Sequence, residues 1–198
     1  VVGPHADSLR YPVSGYTFPA YVEMLDAAGK GAEVSIGGMA DEAKKKNQGS
    51  VSPFEAFSKG LSAEDKKQIG DMTQVLRNMG SRSLKEVLEE RFDVVYAEGC
   101  KITGTDETEI LEAVEAASNS DVVILACGGG NCGWVDVTGG EGKDRCTLEL
   151  PGVQQKLLEA VAETGKPVVM ILYGPGIFAL PWACEHVSAM IQAWMPGQ

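Results

Sequence analysis

The plainest hydrophobic pattern lies in the second half of the chain. Val122-Val123-Ile124-Leu125-Ala126 is apolar at every position, which fits a strand buried on both faces rather than a half-exposed strand with alternating character. Val168 to Tyr173 and Ala189 to Trp194 read as strands too, as does Phe92-Asp93-Val94-Val95-Tyr96. Between these runs the apolar period lengthens to that of a helix. Asp106, with Glu109 three residues on, predicts a capping-box-like start to a helix lined by Ile110, Leu111, Val114 and Ala117. A second helix is expected from about Val153 to Thr164, where Gly165 suits a left-handed C-terminus and Pro167 forbids continuation. A short helix is expected over Ile177 to Cys184. Continuous apolar strands separated by amphipathic helices predict an α/β fold, a three-layer sandwich with a mainly parallel sheet. In it, segments 93–97, 122–127, 168–173 and 189–194 are expected to be parallel neighbours.

The first half is less regular. Val1-Val2-Gly3-Pro4 reads as a strand end entering a turn, and residues 15–50 as a long polar, glycine-containing surface excursion. Ser52-Pro53 and Ser62 each predict the start of a short helix, the second with Ile69, Met72, Val75, Leu76 and Met79 on one face. Ser83 and Glu86 form a capping box for a third helix ending near Arg91. Lys44-Lys45-Lys46 reads as a solvated helix face. The expected organisation is one α/β-sandwich domain over 1–198 with an irregular, helical excursion at about 15–80. The strand-like opening and the close on Trp194-Met195-Pro196-Gly197-Gln198 read as a piece of a longer protein.

Composition narrows the function classes. With 198 residues, 44% of them hydrophobic, the chain can bury a real core. A formal net charge of −11 argues against a nucleic-acid or anionic-membrane partner, since both need a basic face. No apolar run reaches the length of a bilayer-spanning helix. Cys100, Cys127, Cys132, Cys146 and Cys184 are an odd set without metal-site spacing. They read as free thiols, which favours a reducing, cytoplasmic compartment. Secretion stays open because any leader would precede Val1, and so does a Cys132–Cys146 bridge.

Candidate chemistry concentrates in Thr138 to Gly152, TGGEGKDRCTLELPG. Glu141 sits between glycines on a loop that follows a buried strand, and open α/β sheets handle ligands beyond the carboxyl ends of their strands. Glu141 is therefore the candidate catalytic carboxylate. Asp144 and Arg145 read as a local ion pair that shapes the loop, or as direct ligand contacts. Trp134 either stacks on a bound ligand or packs as loop core. His5 and His186 have no paired carboxylate or cysteine spacing and read as structural. Gly128-Gly129-Gly130 leads into a long loop rather than directly into a helix, unlike a dinucleotide fingerprint. No cofactor and no metal are implied.

Several segments together resemble successive landmarks of the second domain of glycoside hydrolase family 3, the β-glucosidases, β-xylosidases and related exo-glycosidases. They are Val2-Gly3-Pro4-His5-Ala6-Asp7, Gly15-Tyr16-Thr17, Tyr96-Ala97-Glu98-Gly99-Cys100, Ser120-Asp121-Val122-Val123-Ile124, Gly139 to Gln154, and Ala193 to Gln198. The resemblance implies an α/β-sandwich packed beside an N-terminal barrel domain of the same parent chain. It implies a nucleophilic aspartate on that barrel and a general acid/base glutamate here. The family's Glu-Gly-x-Asp-Arg motif falls on Glu141 to Arg145, so Glu141 is the implied acid/base, with Asp144, Arg145 and Trp134 as implied substrate contacts. The implied substrate is an oligosaccharide or glycoside cleaved at its terminal β-D-glycosyl residue with retention. The barrel and its nucleophile are missing from these 198 residues, which are expected to be inactive alone. Two readings of other classes compete: a flavodoxin-like module that binds a small ligand at the same sheet edge, and a purely structural α/β domain.

Overall fold

The structure is a computed structural model that describes residues 1–15, 17, 20, 72–130, 138–139 and 144–196. The polar excursion, the helix starts at Ser52-Pro53 and Ser62 and the Lys44–Lys46 run lie outside these residues, apart from a few positions at the excursion's ends.

Among the described residues, three parallel strands form the sheet: β1 (Val123–Gly128), β2 (Val168–Tyr173) and β3 (Ala189–Trp194), in the order β1-β2-β3. Val123 is level with Val168, and Val169 with Ala189. The register slips between Leu172 and Tyr173, so Trp194 stands opposite Tyr173. All three lie within a residue of where the apolar runs placed them.

Segment 93–97 departs from expectation. Only Ala97 forms a bridge, and its partner is Val2, which bridges Leu125 of β1 on its other side. Val2 N–H donates to Ile124 O at 2.9 Å, Ala126 N–H to Val2 O at 2.8 Å, and Gly3 N–H to Ala97 O at 3.2 Å. Val2 thus separates 93–97 from β1. Gly3 then turns the chain with a φ of 107° and ends the ladder before it lengthens.

Side-chain alternation assigns the two faces. Val123, Leu125 and Cys127 of β1 join Val168, Met170 and Leu172 of β2 in the main core. Over them pack α3 (Ile110–Ser118), through Ala113 and Ala117, and α4 (Gln154–Ala162), through Leu157, Leu158 and Val161. Fully burying each such Leu contributes about 1.5–3 kcal/mol. The opposite face carries Ala126, Ile171, Tyr173 and Ala193, covered by Ala6, Tyr96 and Leu84 of α2 (Leu84–Glu89). The layers are helix, sheet, helix. A separate small cluster joins Leu9, Val13 and Ala20 to Met72 and Leu76 of α1 (Met72–Asn78). No helix among the described residues is long and apolar enough to cross a membrane.

Helix boundaries show where local signals bind and where packing overrides them. Ser83 caps α2 as expected: its hydroxyl accepts from Glu86 N–H at 3.2 Å, and Ser83 N–H donates to Glu86 Oε2 at 2.8 Å. Asp106 instead caps a turn, accepting from Thr108 N–H at 3.0 Å, and α3 begins at Ile110. Leu111, expected on the inner face, is 79% exposed, because Ala113, Ala116 and Ala117 form the close-packed side. On α1, Met72 and Leu76 are buried, whereas Met79 faces solvent just past its end. The last helix, α5 (Pro181–His186), starts later than expected, with Pro181 in its first turn. Residues 177–180 are a connection instead, and Ala179 N–H donates to Leu148 O at 2.8 Å.

Candidate functional site

The carboxyl ends of β1 and β2 meet at an edge made by close backbone approach. Gly128 has a φ of 134°, and a Cβ built there would lie 2.0 Å from Tyr173 O. Gly129 N–H donates to Tyr173 O at 3.0 Å. Only glycine meets these contacts. From here the chain leaves the sheet and returns at α4.

One side chain closes the base of that excursion. Gln154 is 0% exposed. Its Oε1 accepts from Gly128 N–H at 2.7 Å, and its Nε2 donates to Gly128 O at 2.8 Å and Ile102 O at 2.9 Å. Both main-chain groups of Gly128 are bonded to this one amide, which acts like a short piece of neighbouring strand. A second closure lies within the loop: Thr138 N–H donates to Gly130 O at 2.8 Å, and the Thr138 hydroxyl accepts from Gly130 N–H at 3.1 Å.

Glu141, Trp134 and Cys132 fall in 131–137 and 140–143, outside the described residues. Of their neighbours, Gly139 and Arg145 lie against the β2–α5 connection. A Cβ on Gly139 would lie 3.0 Å from the Pro175 ring and 3.8 Å from Asp144 Oδ1. Arg145 does not make the local ion pair expected with Asp144. Its Nη1 donates to Pro175 O at 3.4 Å, its Nη2 donates to Ile177 O, and its guanidinium carbon lies 4.3 Å from the centre of the Phe178 ring. Two carbonyls and a ring face match its planar fork. Cys146 is a free, exposed thiol, and the bridge to Cys132 left open by the sequence falls on a residue outside those described. Burial pushes the Cys100 thiol up to about 12 and the Cys127 thiol well above its ordinary range, as befits inert core residues.

Both histidines sit in structural settings. His186 stacks on Trp182 with ring centres 4.0 Å apart, and its Nδ1 lies 2.8 Å from Trp182 O. His5 is 1% exposed, stacked on Tyr173 at 4.9 Å and edge-on to Tyr11 at 5.5 Å. Among the described residues, neither ring nitrogen of His5 meets a partner with full hydrogen-bond geometry, although the Gly128 and Gly129 backbone lies close to the ring. Burial lowers its pKa to about 3, with the peptide groups of Gly128 and Gly129 opposing in part. Among the described residues, no group of three His, Cys, Asp or Glu side chains could hold a metal ion.

The sequence matches the glycosyl hydrolase family 3 C-terminal domain over residues 1–198. The chain belongs to this family. It is similar to a β-xylosidase of Formosa agariphila, with 36% identity over 114 residues covering 58% of this chain and 15% of the relative. Thermostable β-glucosidase B of Acetivibrio thermocellus is 33% identical over 117 residues, 58% of this chain and 15% of that protein. Among solved structures, a β-glucosidase from Listeria innocua in complex with glucose gives a TM-score of 0.51 at 28% identity. That match covers 65% of this chain and 16% of the other. The chain thus spans about 15% of the length of the relatives it matches.

Within this family 3 domain, sequence reading passed over the residues that frame the Glu141 loop. Gln154 carried a signal. It stands three, four and seven positions before Leu157, Leu158 and Val161, a polar residue on the apolar stripe of α4. Pro175, Ile177 and Phe178 carried none, since nothing local shows that a connection will receive a distant arginine.

Proposed function

We propose that this family 3 domain supplies the general acid/base of a retaining, exo-acting β-glycosidase, and that Glu141 is that residue. The observation that carries the reading is the family match over the whole chain together with Glu141-Gly142-Lys143-Asp144-Arg145, the family's Glu-Gly-x-Asp-Arg motif. The flanks of that motif sit at the carboxyl edge of a parallel sheet, where such folds meet ligands.

Retaining hydrolysis needs two carboxyl groups about 5–5.5 Å apart across the scissile bond. The nucleophilic carboxylate is assigned to a barrel domain of the parent protein, which attacks the anomeric carbon. Glu141, protonated, gives its proton to the departing glycosidic oxygen. As a carboxylate it then takes a proton from the water that releases the glycosyl-enzyme. The second carboxylate close by, and closure against water, raise the pKa of such a glutamate enough for it to start protonated. The substrate is the terminal β-D-glycosyl residue of an oligosaccharide or glycoside, with Trp134 and Asp144 as the contacts this domain offers.

The test is Glu141→Ala in the full-length protein. Loss of general acid–base assistance should cost about 10²–10⁴-fold on substrates with poor leaving groups. Activated aryl glycosides should keep most of their kcat/KM, because their leaving groups need little protonation. Azide should restore turnover and yield a glycosyl azide of retained configuration, since an anionic nucleophile needs no general base. Wild-type rates on both substrate classes and indifference to azide would remove Glu141 from the mechanism.

A further inference from the structure

We propose that the crevice where the strand order reverses, between Val2 and β1, binds a neutral hydroxyl group through the imidazole of His5. The hydroxyl comes either from a sealed-in water or from the glycoside. Only the second source rests on the glycosidase reading, and neither depends on which carboxyl is the acid.

The topology locates the crevice. Val2 bridges Ala97 on one side and Leu125 of β1 on the other, and both pairings are parallel. Across the sheet the order is therefore Ala97, Val2, β1, β2, β3, so the extended segments run second, first, third, fourth and fifth in the chain. The chain steps one way from Val2 to Ala97, then the other way from Ala97 through β1 and β2 to β3. Crossovers between parallel strands are right-handed, so this reversal puts the connections on opposite faces. The packing agrees. Leu84 of α2 lies on one face with Ala6 and Tyr96, whereas α3, α4 and α5 lie on the other through Ala113, Leu157 and Ala183. The chain leaving Gly3 and the chain leaving Gly128 thus part at the carboxyl edge. Doubly wound sheets hold their ligands at such a parting.

His5 occupies the floor of this crevice. Its main-chain N–H donates to Ala126 O at 3.2 Å, which fixes the residue beside the end of β1. Its ring lies flat on Tyr173 and edge-on to Tyr11, with the Gly128 and Gly129 main chain close by. Phenylalanine would stack on Tyr173 as well, so packing alone gives no reason for an imidazole. The ring is buried, yet among the described residues neither nitrogen meets a partner with full hydrogen-bond geometry. Buried polar groups left unmet are costly, and native ones are bonded to protein or to ordered water. Burial lowers the pKa of His5 to about 3, so its ring is neutral and offers one donor and one acceptor. A hydroxyl complements both. An anion would leave the acceptor nitrogen unmet, and a cation the donor.

The experiment uses the full-length protein. Crystals of the wild type, free and soaked with glucose or xylose, should show a non-protein oxygen about 2.7–3.2 Å from a ring nitrogen of His5. An oxygen present in the free crystal and unmoved by sugar identifies water, and one belonging to the sugar identifies the glycoside. Two variants give the second readout: His5→Phe keeps the stacking, and His5→Asn keeps a donor and an acceptor. If water is the ligand, His5→Phe lowers the thermal midpoint by several degrees and leaves KM for aryl glycosides unchanged. If the glycoside is the ligand, His5→Phe raises KM about tenfold or more. His5→Asn should recover part of either loss. Ring nitrogens without a non-protein oxygen in every crystal, or a His5→Phe variant with wild-type midpoint and KM, would overturn the site. If His5→Phe does not fold, the crystals and His5→Asn decide. Glu141→Ala run in parallel separates the two ideas: wild-type rates there remove the acid assignment and leave these outcomes standing.

Discussion

Gln154 and Gly128 are 26 positions apart in sequence, yet the amide of one bonds both the N–H and the carbonyl of the other. The two residues mark the exit from β1 and the entry to α4, so this pair fixes the base of the loop that carries Glu141. Replacing Gln154 by Glu keeps the shape and an acceptor but removes both donors, leaving two buried carbonyls facing a carboxylate. The expected cost is about 2–4 kcal/mol, as for breaking a buried hydrogen-bonded network. Denaturant unfolding measures it, and faster hydrogen exchange at the Gly128 amide should accompany it. An unchanged midpoint would mean that the amide is not the closure described.

His5 makes stability depend on pH. Unfolded, its imidazole takes a proton below about 6.5, whereas in the fold it does so only below about 3. Between these values the unfolded chain binds more protons, so stability is full above 6.5 and falls as pH drops through the window. The loss attributable to His5 approaches roughly 4 kcal/mol at pH 3. His5→Phe keeps a ring against Tyr173 and cannot titrate, so its stability should fall less steeply with acid than that of the wild type. Parallel pH–stability curves for the two proteins would count against the buried neutral histidine.

Ser83 serves two elements. Its hydroxyl accepts from Glu86 N–H in the capping box and donates to Asp7 Oδ1 at 2.6 Å, tying α2 to the turn after Val2. Ser83→Ala should destabilise by about 1–2 kcal/mol, at the upper end for a lost cap. Ser83→Thr, which keeps the hydroxyl, should recover most of that. Equal losses in both variants would point to packing rather than capping.

The 198 residues by themselves should hydrolyse no aryl glycoside, because the proposed nucleophile belongs to another domain. The assay is product release by the purified chain at high concentration. Turnover abolished by Glu141→Gln would show instead that the whole active site lies within these residues.

Much of the architecture was legible because burial on both faces writes itself into consecutive residues. Val168 to Tyr173 and Ala189 to Trp194 became strands with the expected bounds, and the Ser83–Glu86 box and Gly165 marked helix ends through purely local chemistry. Asp106 misled because an Asx turn uses the same side-chain bond as a helix cap, and only the packing of Ile110 and Ala113 decides where α3 begins.

The sequence by itself determined that three of the four apolar runs read as parallel strands would be so, and that helices would separate them. Tertiary structure alone decided that Val2 would slip between Ala97 and β1, that Gln154 would close on Gly128, and that Arg145 would turn from Asp144 to the carbonyls of Pro175 and Ile177. The difference is one of range. Periodicity, caps and glycine turns act within a few residues and are fixed by side-chain type. The choice of partner for a strand edge, a buried amide or a guanidinium depends on which distant backbone groups the packed sheet leaves unbonded, and those exist only once the fold has formed.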